Sequence, residues 1–227
     1  MTENQTVQQK SVRRNRVAAA ACFAAALITA TVVGTQSATA DGTAHRTAAA
    51  AARSAAVAAP GLGSAHLVQS EDYFGKGLNP VGATVALTGR QALSACSGEE
   101  TMRDLTKGGA TAYASVNWTF ATDGMLTESA ASAPTKAAAA TWEKQLVALV
   151  QDCQDEPAGH WRYGAAHTLT TAGGTARWYQ AYNGDGTATG GVAVLRSGAR
   201  VAVVELTGRP TTSVAGIATA ALNRLSS

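Results

Sequence analysis

No catalytic set is written into this sequence. G-x-S-x-G, H-E-x-x-H, P-loop and Rossmann fingerprints are all absent. Histidine is scarce, with four in 227 residues, and only His160 and His167 fall in the stretch that reads as folded. They stand seven residues apart, which is not a metal-ligand spacing, and an isolated strand histidine is ordinarily a surface or satisfied core residue. A small secreted hydrolase would need one of them within hydrogen-bond reach of a serine and a carboxylate, with oxyanion donors nearby. No catalytic residue, metal ligand or cofactor is assigned.

A basic surface is also missing once the N-terminus is set aside. Lys10, Arg13, Arg14 and Arg16 precede an Ala/Val/Leu/Ile run from Val17 to Val33, and Ala38-Thr39-Ala40 is an A-x-A cleavage signature. Residues 1–40 read as a signal peptide cleaved after Ala40. The competing reading is an uncleaved anchor, but the run is about 17 residues and largely alanine, at the short limit for spanning. Arg16 stands where a twin-arginine signal turns apolar, and too few apolar residues precede Cys22 for a lipobox. The whole chain has 18 Lys+Arg and 15 Asp+Glu; this leader holds four of the former and one of the latter, which leaves 14 of each. A neutral mature chain gives no case for nucleic-acid binding or a polybasic membrane patch. Membrane attachment is expected only through an uncleaved leader, and the expected location is secreted or extracytoplasmic.

Residues 41–66 are Ala-rich without apolar periodicity and end in Pro60 and Gly61-Leu62-Gly63, the composition of a disordered linker. Residues 67–227 then suit one domain by length. Ser70 can cap a short turn carrying Tyr73 and Phe74, and Val81 to Leu87 is an extended piece entering the core. Glu99 and Glu100 open a short helix whose buried side is Met102 and Leu105. In Thr111–Phe120, Ala112, Ala114, Val116, Trp118 and Phe120 alternate with polar neighbours, the period-two pattern of a half-buried strand. Asp123-Gly124 turns it into a second strand, Met125–Ala131.

Pro134–Cys153 follows as a helix with Pro134 in its first turn and an apolar stripe of Trp142, Leu146, Leu149, Val150 and Cys153. Four strands come next, Trp161–Thr170, Ala176–Tyr182, Thr187–Leu195 and Arg200–Leu206, separated by Gly-rich turns too short for parallel crossovers. After Pro210, Thr212 or Ser213 caps a closing helix with a stripe of Val214, Ile217, Ala221, Leu222 and Leu225. The fold class is α+β: an antiparallel twisted sheet of about six strands with helices packed on it.

Downstream of the leader there are only two cysteines, Cys96 and Cys153. In an exported protein an even pair is expected to form a disulfide; a free buried pair is the alternative. Asn183-Gly184-Asp185-Gly186 has the look of a calcium-loop fragment but lacks the later ligands, so it reads as a hairpin turn. The one suggestive concentration is aromatic and basic: Trp161-Arg162-Tyr163 and Arg177-Trp178-Tyr179. Alternation puts Arg177 and Tyr179 on one face of their strand and Trp178 and Tyr182 on the other. One face is explained by a covering helix. The other is ordinary cross-strand packing or the lining of a cleft, and Trp161, Tyr163, Arg177 and Tyr179 are the candidate ligand-binding residues.

Several features together carry a resemblance. They are the exported leader, LSAC at Leu93–Cys96, the Trp118 strand, the AAAATWEKQLVALVQDC helix, and the VAVLRSGARVAVVELTG hairpin from Val192 to Gly208. Over residues 67–227 the chain resembles secreted relatives of the PknH-like extracellular sensor domain, common in actinobacteria. That resemblance implies a twisted antiparallel sheet flanked by helices, a ligand-binding cleft and no enzymatic activity. The kinase-attached members carry two disulfides, whereas this chain has cysteines for one. It also carries no kinase segment, so a sensed signal would pass to a separate partner, or the role would be sequestration. The expected partner is an unknown small molecule or envelope component. A protein–protein interaction or envelope structural role is the alternative.

Overall fold

The computed structural model describes residues 61–73, 76, 78–94, 96–121, 124–157, 159–208 and 213–227. The leader, most of the Ala-rich linker, Phe74, Asp123, Pro210 and Thr212 lie outside the described residues. Among those described, seven strands form one antiparallel sheet: β1 (Pro80–Ala86), β2 (Ala112–Phe120), β3 (Met125–Ser132), β4 (Arg162–Thr171), β5 (Gly174–Tyr182), β6 (Ala188–Ser197) and β7 (Arg200–Thr207). Their order across the sheet is β1-β2-β3-β7-β6-β5-β4. Three helices accompany it: α1 (Met102–Leu105), α2 (Lys136–Gln151) and α3 (Val214–Ser226).

The strand expected least is β1. Pro80–Ala86 does not enter the core but pairs with β2 along its outer edge, which makes seven strands and not six. Val81 is 65% exposed, Val85 48% and the adjoining Leu87 59%. An extended piece with little to bury adds to a sheet chiefly through backbone hydrogen bonds, joined here by the Ser115 hydroxyl donating to the Ala86 carbonyl.

Helix starts follow side-chain capping. Thr135, whose Oγ1 accepts the Ala138 N–H at 3.1 Å, is the N-cap of α2, so Pro134 stands before the cap and outside the first turn. The helix ends at Gln151 and Cys153 follows in a turn, its N–H donated to the Val150 carbonyl. Likewise Thr101 and Asp104 form a reciprocal capping pair at α1, in place of the glutamates before it. Ser213 caps α3 by accepting the Gly216 N–H.

The sheet is covered on both faces, because successive residues of its central strands are apolar. On β6, Val192 and Val194 pack with Trp142, Leu146 and Val150 of α2, while Ala193 and Leu195 pack with Ile217, Ala221 and Leu222 of α3. β7 repeats the pattern, Val201 and Val203 toward α2 and Ala202, Val204 and Leu206 toward α3. Each Val or Leu so buried contributes roughly 1.5–3 kcal/mol. The Cys96–Cys153 disulfide forms, with a Cα–Cα distance of 5.9 Å, and ties the segment before α1 to the end of α2.

Gly190 makes the join between β6 and β7 close. It lies beside a bulge where Ala181 faces Gly190 but Tyr182 faces Ala188. Its φ is +121°, and a Cβ there would stand 2.0 Å from the Leu206 carbonyl oxygen. Gly190→Ala is expected to cost roughly 2–4 kcal/mol in urea unfolding; a loss below about 0.5 kcal/mol would contradict this geometry.

Ahead of β1, residues 61–73 cross the α3 face as a strap with two single 3-10 turns, Ser64–His66 and Ser70–Tyr73. Packing begins at Leu62, which is buried in that face's core although the sequence places it in the linker. Tyr73 meets Trp118 and Phe120 edge to face at 5.3 and 5.2 Å. The Trp118 indole N–H donates to the Val68 carbonyl at 3.1 Å. The Val68 N–H donates to Glu128 Oε2 at 2.6 Å. Arg224 of α3 holds the strap's far end, with Nε 3.0 Å from Asp72 Oδ2 and Nη2 2.6 Å from Glu71 Oε1.

Candidate functional site

α2 packs over β6 and β7, near the middle of the sheet, and its core reaches β5 and β4 at Tyr179, Ala181 and Tyr163, while the stretch of those strands around Thr168 and Arg177 stays exposed beside the helix. The result is a recess of about 510 Å³ between the flank of the helix and the strands. Glu143, Val147 and Gln151 recur every four residues along that flank, with Lys144 one step round. Strand register supplies the opposite wall: Thr168 of β4 lies across from Arg177 of β5, and Thr175 of β5 across from Arg196 of β6.

The wall is rich in donors and in positive charge. Arg196 Nε donates to Glu143 Oε2 at 2.5 Å, which ties β6 to the helix and occupies the one carboxylate of the lining. Lys144 and Arg177 form no ion pair among the described residues. The hydroxyls of Thr168 and Thr175 and the amide of Gln151 complete the polar set.

Of the four residues the sequence singles out, the structure brings three together in a place other than a wall. Trp161 packs against Tyr163 with ring centroids 4.7 Å apart, and Tyr163 against Tyr179 at 6.4 Å. Tyr163 is 2% exposed and Tyr179 is 0% exposed, both inside the α2-side core. The Tyr163 hydroxyl donates to Glu205 Oε1 at 2.5 Å, and burial together with that neighbouring carboxylate pushes its pKa up. Burial also raises Tyr179, opposed by the nearby Arg177 guanidinium; its hydroxyl has no hydrogen-bond partner of ordinary geometry among the described residues. Arg177 alone of the four lines the recess. Trp178 points the other way, into the α3-side core, with His167 stacked on it at 4.2 Å.

The sequence does not single out Glu143, Lys144 and Arg196, which line the recess. Their signal is faint: a charged flank beside an apolar helical stripe, and an arginine next to a hairpin turn, are what solvated surfaces also carry.

The remaining candidates for chemistry are accounted for. Asp185 Oδ1 accepts the Thr187 N–H at 2.9 Å, which lowers its pKa and closes the Asn183–Gly186 hairpin turn. His160 lies on the surface 3.8 Å from Glu156. Among the described residues no group of three or more His, Cys, Asp or Glu is placed to hold a metal ion. No helix of the described residues is long and apolar enough to cross a membrane.

No family model matches the sequence, and no curated protein matches it. Among solved structures, the fold is similar to the crystal structure of the extracellular domain of PknH from Mycobacterium tuberculosis. The TM-score is 0.50 at 15% identity, over 71% of this chain and 93% of that one. At such an identity the likeness establishes the fold: a PknH-like antiparallel sheet with helices on it.

Proposed function

We propose that this chain is an extracytoplasmic, non-catalytic binding domain of the sensor type, and that it takes a small molecule in the recess between α2 and strands β4 to β6. The observation that carries the reading is the recess itself. Its volume, about 510 Å³, falls within the range of small-molecule sites, and its polar groups converge from four separate elements. Three further points support it: the fold shared with the extracellular domain of PknH, a disulfide of the kind that persists in oxidising compartments, and an N-terminal segment with the pattern of an export signal.

Native mass spectrometry of the full chain, purified oxidised from a periplasmic host, tests this. The expected result is a co-purified small molecule, or a several-degree thermal stabilisation by a component of the cell envelope, that Arg177→Ala removes. Arg177 is the informative position because Tyr179→Ala would open a hole in the core. A clean spectrum, and no stabilisation across a panel of envelope lipids, glycans and metabolites, would remove the reading. One observation favours the alternative, a protein-interaction role: β1 leaves an edge with Val81, Val85 and Leu87 exposed.

A further inference from the structure

Resting on the recess as a binding site, we infer that its ligand carries a phosphate monoester. Three cations line it, Lys144, Arg177 and Arg196, against the single carboxylate of Glu143. Arg196 and Glu143 satisfy each other through Nε, which leaves Lys144 and Arg177 as the two charges without an ionic partner among the described residues. Two uncompensated cations match a dianion, and a phosphate monoester near neutral pH carries between one and two negative charges. The donor types fit as well: guanidinium presents paired N–H groups to phosphate oxygens, and ammonium acts as a point charge beside them. Thr168 and Thr175 hydroxyls supply neutral donors on the strand side.

The space is larger than a bare phosphate needs, so the group is expected on a small organic body. Val147 is the apolar side chain of the lining, since Ala176 packs into the α3-side core, which suits a short carbon skeleton and is too little for an acyl chain. A soluble phosphorylated metabolite and the head of a phospholipid share this chemistry. The experiment separates them.

The full oxidised chain is titrated calorimetrically with glycerol 3-phosphate, inorganic phosphate and glycerol, and sedimented with vesicles of phosphatidylcholine with and without phosphatidic acid. Glycerol 3-phosphate is expected to bind, glycerol not, and the affinity to fall as salt rises. Lys144→Gln and Arg177→Gln are each expected to weaken binding roughly tenfold or more. Arg90→Gln, on the exposed segment after β1 at the opposite edge of the sheet, leaves it unchanged. Lys144 is exposed on the helix surface, so its variant keeps the test open if Arg177→Gln unfolds. Binding to phosphatidic acid vesicles alone, lost with Lys144→Gln, also supports the inference and assigns the phosphate to a lipid.

Binding that these substitutions leave intact, or no binding to any phosphate probe, overturns it. If a neutral molecule is then found bound and Arg177→Ala releases it, the binding reading stands and only the phosphate inference falls. If nothing binds in either experiment, both fall together.

Discussion

Raising the pH from about 5 to about 9 is expected to destabilise this domain by a few kcal/mol, and Glu128→Gln to abolish most of that loss. Glu128 lies on β3, 0% exposed, beneath the strap and against the α3-side core. Burial, reinforced by Asp72 nearby and opposed by the Val68 N–H, pushes its pKa from 4.5 up to about 8. Between those two values the folded carboxyl keeps a proton that the unfolded chain has released, so the unfolded state binds fewer protons and stability falls as pH rises. The contribution is whole below about 4.5 and lost through about 8.

The neighbours do not hide this window. Tyr73 in the strap, itself raised by burial and by Glu128 and Asp72, titrates above it. Arg224 of α3 stays charged throughout, held by Asp72 and Glu71. Glu71 and Asp185 are both lowered, so what they contribute is present above the ordinary carboxylate range and is lost only as pH falls beneath it. Glutamine keeps an oxygen for the Val68 N–H and removes the charge. Urea unfolding of both proteins at pH 5, 7 and 8.5 is the measurement, and parallel stability curves for the two would sink the assignment to Glu128.

The second large effect concerns the cross-link. Cys96 and Cys153 are 57 residues apart in sequence, and by the chain-entropy argument closing a loop of that length contributes about 4 kcal/mol. A Cys96→Ser, Cys153→Ser double variant is expected to unfold on the order of 10 °C lower, given how a domain of this size responds per kcal/mol. Reduction of the wild type by dithiothreitol should shift its midpoint by a similar amount. A change of less than about 1 kcal/mol in both would mean that the reduced unfolded chain is already constrained, or that the thiols are not bonded in solution.

Much of the fold was legible because local pattern and burial agree. The alternation from Ala112 to Phe120 marks β2, the Trp142–Leu146–Val150 stripe marks α2, and the apolar run through Val192–Leu195 and Val201–Leu206 marks two strands buried on both faces. Where long-range packing decides, pattern fails. Glu128 sits among Thr127, Ser129 and Ala130, with no local pattern that marks it as buried, yet β7 on one side, β2 on the other and the strap above enclose it. Val81, Thr84 and Val85 mark β1 as extended, but nothing local tells that it joins the outer edge of β2 and does not enter the core.

The recess divides in the same way. Arg177 and Tyr179 share a face by alternation, but which of the two lies under α2 depends on where the helix crosses the sheet. That crossing is fixed by contacts such as Glu143 with Arg196, between elements far apart in the chain. Alternation therefore names the face and leaves the covered part of it open.

The strand order bears on how the sheet assembles. β1, β2 and β3 pair in sequence, as do β4 through β7, so every ladder but one joins neighbours along the chain. The exception is β3 with β7, where Ser132 meets Arg200 across everything that lies between them. The entropy of bringing distant segments together, which grows with the logarithm of loop length, is therefore greatest at this junction, with the β1–β2 closure over residues 87–111 next. The β2–β3 hairpin and the β4–β7 meander can form from local contacts, and they become one sheet only when that junction closes.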